Sequence, residues 1–406
     1  MMIRQLFHKY TQIVIVLCVA SLVFLNPFPH VTAPSEIFFY TALALALLLF
    51  ISKATRPDIS SPLGLPFLCF LLFALASIAW AFDWENTTHD VYRHLLRHIV
   101  LYLMLISFFI RKEDLLTLIW SIIASTTLFS LAALIYSYII LASPISFRIK
   151  LEGIGSNQIA QYCLLGTLLS LCYFPVAEKW YQKTVLMICF VITISAVILS
   201  YSRACLLALG AACLFCIFTA SKFKKTLIVV SLLILAVSIS LFNLSPDYHE
   251  RARTSTYERI KIYATAYEMI KERPVSGFGY GMKTFKQNFF KFNKLNPQNL
   301  VSQIDYAHPH NVFLDITIRL GLVGLVLFCW ILFRVFKMGG ELICRSRDPF
   351  YRHWGIGITA CLIAFLTAGL FGNILNNRSS VILYTIIAMI TILWKLNQYP
   401  VSDPNR

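Results

Sequence analysis

Apolar runs long enough to cross a bilayer recur along nearly the whole chain, and no water-soluble fold can hide so many. A membrane-spanning helix needs about 20 predominantly apolar residues. Twelve candidates stand out, at roughly 12–28, 36–52, 63–82, 97–110, 114–141, 158–177, 184–201, 204–220, 226–243, 311–333, 354–374 and 380–395. Composition agrees: 58% of the 406 residues are hydrophobic and 13% charged, against about 45–50% and about 25% in soluble domains. The expected fold class is all-α, a polytopic membrane protein with about 12 transmembrane helices. The net charge of +16 is then read by side of the membrane and argues for no nucleic-acid partner. The eleven cysteines, nearly all in apolar runs and without CxxC or Cys/His spacing, read as small buried hydrophobes.

Lys and Arg in the short loops set orientation. With the N-terminus inside, the inner segments carry Arg4 and Lys9, Lys53 and Arg56, Arg111 and Lys112, Lys179 and Lys183, then Arg334, Lys337, Arg345, Arg347 and Arg352. Opposite loops such as NPFPHVTAPSE are poorer in both. This reading puts both termini in the cytoplasm. It divides the chain into spans one to nine (1–243), one large outer loop (244–310) and spans ten to twelve with a cytoplasmic tail (311–406).

Within that loop, STYERIKIYATAYEMIKERP predicts a helix. Ser255 and Glu258 fit a capping box. Ile260, Tyr263, Ala264, Tyr267 and Ile270 make an apolar stripe at i, i+3, i+4, i+7 spacing. Pro274 stops the helix and GFGYG makes a turn. Such a one-sided helix beside a bilayer packs on the spans or lies in the interface.

Chemistry should sit where polar groups stand at span mouths. Arg203, in YSRACLLAL, falls in a hairpin with almost no loop. An arginine held at that depth suggests function, and its planar fork suits phosphate oxygens; an equally open reading is a snorkelling anchor. Arg259 borders the apolar stripe, where it can meet a lipid headgroup, whereas Arg251 and Arg253 read first as solvated charges. At HPHNVFLD, a neutral imidazole of His310 or His308 can take a proton from a hydroxyl near neutral pH. Asn311 can orient the ring, bind a sugar hydroxyl or simply cap the helix. Two histidines without a third ligand make a weak zinc site. Lesser sets are Asp83, Glu85, His89, Arg93 and Arg97 before span four, and Glu152, Asn157 and Gln158 before span six.

The serine–arginine pair of YSRACLLAL, the stretch RIKIYATAYEMIKERPVSGFGYG and the closing HPHNVFLDITIRLGLVGL together resemble the O-antigen ligase and polymerase superfamily. The resemblance implies a GT-C-like, all-helical membrane glycosyltransferase. It implies a glycan taken from an undecaprenyl-diphosphate carrier and, for the ligases, passed to a sugar hydroxyl of lipid A–core among the membrane lipids, with neither metal nor nucleotide. By position, Arg203 and Arg259, with Arg253 as a further candidate, match the arginines that hold the diphosphate. His310 matches the base, with His308 as the other candidate, and Asn311 and Tyr263 stand as substrate-binding residues. A polymerase or a protein oligosaccharyltransferase of the same superfamily is the nearest alternative. A twelve-span transporter or flippase is the competing class; it calls for charged or broken helices at mid-membrane and a repeat between halves. Arg319 inside span ten is the one such charge, and no repeat is visible.

Overall fold

The computed structural model describes residues 2–53, 55, 61–219, 224–244, 248–293 and 308–398. Among them there is no β-strand, and the helices follow in the order α1 (Met2–Leu25), α2 (Thr32–Ile51), α3 (Gly64–Ala76), α4 (Trp84–Asp90), α5 (Arg97–Phe108), α6 (Lys112–Ile135), α7 (Ser156–Tyr173), α8 (Trp180–Leu199), α9 (Arg203–Thr219), α10 (Lys224–Leu244), α11 (Tyr248–Glu272), α12 (Thr284–Asn293), α13 (Val312–Arg345), α14 (Pro349–Gly369) and α15 (Asn377–Gln398). Each of the twelve expected spans falls on a helix, and nine of the described segments are long and apolar enough to cross a membrane. The chain is an all-α polytopic membrane protein. α7 and α15 are buried at the centre of the bundle, and α10 lies at its edge with Val229, Leu232 and Leu233 turned outward.

Two spans differ from their expected form. Span four is not confined to 97–110: α4 and α5 join through a π-helical stretch, Val91–Leu96, into one segment, Trp84–Phe108. Its first turns are polar, so hydropathy alone starts the span too late. Span ten starts where expected but is broken within its length. Gly321, at φ 64° and ψ −168°, breaks α13. Residues 312–320 form a short helix ahead of the break, within the candidate span Val312–Arg345.

The break is held open by the turn that follows α11. Phe278 N donates to Ile318 O at 3.0 Å, Gly279 N to Arg319 O at 2.9 Å, and Leu322 N to Pro274 O at 2.8 Å. These are the carbonyls and amide that a broken helix leaves without intrahelical partners. The contact is backbone against backbone, which is why glycine stands on both sides. A Cβ on Gly321 would lie 2.0 Å from Val275 O, and one on Gly277 (φ 65°) would lie 2.5 Å from Arg319 O.

Above the bundle this arrangement encloses a second, smaller core. Ile262, Ala266 and Met269 of α11, Phe285, Phe289 and Phe292 of α12, Phe278 of the turn and Ile318 all bury together. Burying a Phe side chain contributes about 1.5–3 kcal/mol, so four give on the order of 10 kcal/mol before entropy. That outweighs the loss of one or two helical hydrogen bonds at the break, each worth about 1 kcal/mol net.

Two loop expectations are corrected. α11 begins at Tyr248, so positions 255 and 258 lie inside it and not at its N-terminus. The buried face is Ile262, Ala266 and Met269; Ile260 and Tyr267 of the expected stripe are 61% and 63% exposed. Both faces carry apolar residues, and the aromatic partners on α12 decide which one is covered. Arg319 is 2% exposed and forks onto Asp315, Nε to Oδ1 at 3.0 Å and Nη2 to Oδ2 at 2.6 Å. It precedes the break at Gly321.

Candidate active site

The end of the bundle bearing α11 and α12, here the loop face, also carries the N-termini of α7, α9 and α13 and the turn between α14 and α15. Arg203 opens α9 and is exposed. The hairpin before it turns tightly: Tyr201 has φ 52° and sends its hydroxyl to Ile145 O at 2.9 Å. Arg148, from the segment between α6 and α7, braces the same hairpin. Its Nε donates to Ser200 O and its Nη2 to Asn157 Oδ1, each at 2.7 Å.

α11 lies across the α14–α15 turn. Arg259 Nη2 donates to Phe371 O at 3.0 Å, and Tyr263 Oη donates to Leu370 O at 3.4 Å. Arg259 is partly buried, and among the described residues no carboxylate lies within ion-pair distance of it. Burial first, and then the facing charge of Arg203, pull its guanidinium below the usual arginine range, while Tyr263 opposes the change. A partly buried cation with no carboxylate beside it favours an anion.

His310 completes the group. Its backbone is in the left-handed region, φ 52°, uncommon for a non-glycine residue and a form of local strain that clusters at functional sites. Burial, then Arg259, then His308 pull its imidazole down to about 4. His308 is likewise drawn to about 4, by burial and then by Arg319. The two histidines thus face different arginines: His310 looks toward Arg259, and His308 toward Arg319 of the buried Arg319–Asp315 pair. Asn311 caps α13, its Oδ1 accepting from Phe313 N at 2.9 Å and Leu314 N at 3.2 Å.

Arg203, Arg259, Tyr263, His308, His310 and Asn311 therefore gather on the loop face. The Arg253 side chain lies outside the described residues, although α11 includes its backbone. Asp83 and Arg97 serve elsewhere: Asp83 caps α4 through Asn86 N at 2.9 Å and accepts from Gln287 Nε2, and Arg97 pairs with Glu36. Arg148 escaped the sequence reading. The signal for it was Arg148 and Lys150 standing together in a loop on the side expected to be poor in both.

Fold and geometry together define a polytopic membrane protein with a cationic, imidazole-bearing site at one end of its bundle. Residues 188–329 match the family described as O-antigen ligase. This segment, about a third of the chain, is similar to the O-antigen ligase superfamily. The matched segment runs from α8 into α13 and contains every candidate named above from Arg203 to Asn311. No curated protein matches the chain.

Proposed function

We propose that the protein is an O-antigen ligase. It moves a glycan from undecaprenyl diphosphate to a sugar hydroxyl of lipid A–core, completing lipopolysaccharide on the periplasmic face of a bacterial inner membrane. The observation that carries this reading is Arg259: a partly buried guanidinium with no carboxylate within ion-pair distance among the described residues, facing Arg203 and standing beside a neutral His310. In this reading the loop face is periplasmic, residues 244–310 form the periplasmic unit, and both termini lie in the cytoplasm.

The chemistry is a single displacement. The acceptor hydroxyl oxygen bonds to the anomeric carbon as its proton passes to His310 and the bond from that carbon to the diphosphate breaks, inverting the centre. Arg203 and Arg259 take up the charge released on the lipid diphosphate, a preorganised electrostatic effect. Donor binding also tunes the base. A diphosphate opposite Arg259 offsets the charge that depresses His310, so the imidazole becomes more basic only when the donor is in place. His308, against Arg319, positions rather than reacts.

The test is glycan transfer by purified protein given a carrier-linked glycan and rough lipopolysaccharide. Product should form with the wild type and be lost with Arg203→Ala, Arg259→Ala and His310→Ala. Undiminished transfer by His310→Ala would sink the assigned role of the base. Growth of the chain on the carrier, without transfer to rough lipopolysaccharide, would identify a polymerase instead. Reporter fusions that place residues 244–310 in the cytosol would refute the topology.

A further inference from the structure

A second cluster of titratable groups lies apart from the arginines, where α4 passes into α5. Asp90 Oδ1 stands 3.0 Å from His89 Nδ1 and 3.3 Å from His94 Nε2, and the three ligand atoms lie within 4.8 Å of one another. Zinc binds imidazole nitrogen and carboxylate oxygen at about 2.0–2.1 Å, so the edge of its tetrahedron is roughly 3.3 Å. The two distances from Oδ1 already match that edge.

Helix winding explains how histidines five residues apart come together. In an α-helix, with about 3.6 residues per turn, such positions diverge. The stretch Val91–Leu96 is π-helical, and winding of the i→i+5 kind returns them to one face. The His89 and His94 rings stand 5.8 Å apart in a T-shaped pair. The His89 side chain is 51% exposed, which leaves a path for an ion, while that of Asp90 is 5% exposed. Among the described residues Asp90 contacts the two imidazoles and the Met282 amide (N to Oδ2, 2.6 Å), and no Lys or Arg lies within ion-pair distance. A buried carboxylate needs a countercharge, which a bound cation would supply.

We propose that His89, Asp90 and His94 bind one zinc ion, with water as a fourth ligand. The site is structural. Asp90 accepts from Met282, in the segment between Gly279 and α12, so the ion would fasten span four to the turn that props open the break at Gly321. It lies outside the transfer machinery and does not depend on the ligase reading.

The test uses tag-free, full-length protein in detergent, stripped with a chelator and titrated with zinc sulfate. About one zinc per chain should survive desalting and raise the unfolding midpoint. His94→Ala and the double variant His89→Ala/His94→Ala should lose both effects, and His308→Ala should keep both. If the alanine variants aggregate, His94→Gln serves in their place, and it too should lose the zinc. Failure of the stripped wild type to retain zinc overturns the proposal. So does retention unchanged in the histidine variants, or retention lost only in His308→Ala.

Discussion

Arg259 is clamped to Phe371 twice: its Nη2 donates to the Phe371 carbonyl at 3.0 Å, and its Cζ stands 5.6 Å from the centre of the Phe371 ring. One edge of the guanidinium thus holds the α14–α15 turn while the charge still faces Arg203. Lysine keeps the charge but loses the fork and the stacking. Arg259→Lys should lower kcat/KM roughly 10–100-fold, the worth of a charged hydrogen bond of about 1.5–3 kcal/mol, and Arg259→Ala should lower it further. Rates at varied donor concentration check this; an unchanged kcat/KM for Arg259→Lys would confine the residue to holding the turn.

The pH profile follows from His310. Its imidazole, held near 4 without donor, is neutral across the physiological range, so the acid limb of kcat/KM should lie well below the ordinary histidine value of about 6.5. The bound diphosphate raises it, so the acid limb of kcat should lie at higher pH than that of kcat/KM. Stability also falls on the acid side. An unfolded chain binds protons at both histidines below about 6.5 that the folded one refuses until about 4, so folding stability falls as pH drops through that window. His310→Gln should flatten part of that fall in thermal unfolding.

The break in α13 gives a structural prediction. Gly321→Ala drives a Cβ to within 2.0 Å of Val275 O, and Gly277→Ala drives one to within 2.5 Å of Arg319 O, both at positive φ. Each should cost about 2 kcal/mol or more and lower both the unfolding midpoint and transfer activity. Gly340→Ala, in α13 with no heavy atom within 4 Å of the added Cβ, should leave the midpoint unchanged or raise it.

The buried Asp315–Arg319 pair should respond asymmetrically. Removing either partner strands a charge and should cost about 3–5 kcal/mol. The double variant Asp315→Leu/Arg319→Leu should recover much of that loss. A double variant less stable than the sum of the single losses, by thermal unfolding, would contradict it.

The sequence by itself determined the helices, because a run of apolar residues is a local property and the bilayer reads it locally. The same local legibility exposed the end of α11 before Pro274 and the residue types capable of binding phosphate and accepting a proton. Tertiary structure decided what those groups do together. Hydropathy cannot tell Ile262, buried against α12, from Ile260, left exposed, since both are apolar and only the partner differs. Nor could it end span ten's first helix at Leu320, because the hydrogen bonds that permit the break come from residues 274–279, some forty positions away. Arg203, Arg259 and His310 share one face for the same reason. They are set in place by α9, by α11 lying on the Phe371 turn and by the cap of α13, and such contacts between distant segments leave no periodic trace in the chain.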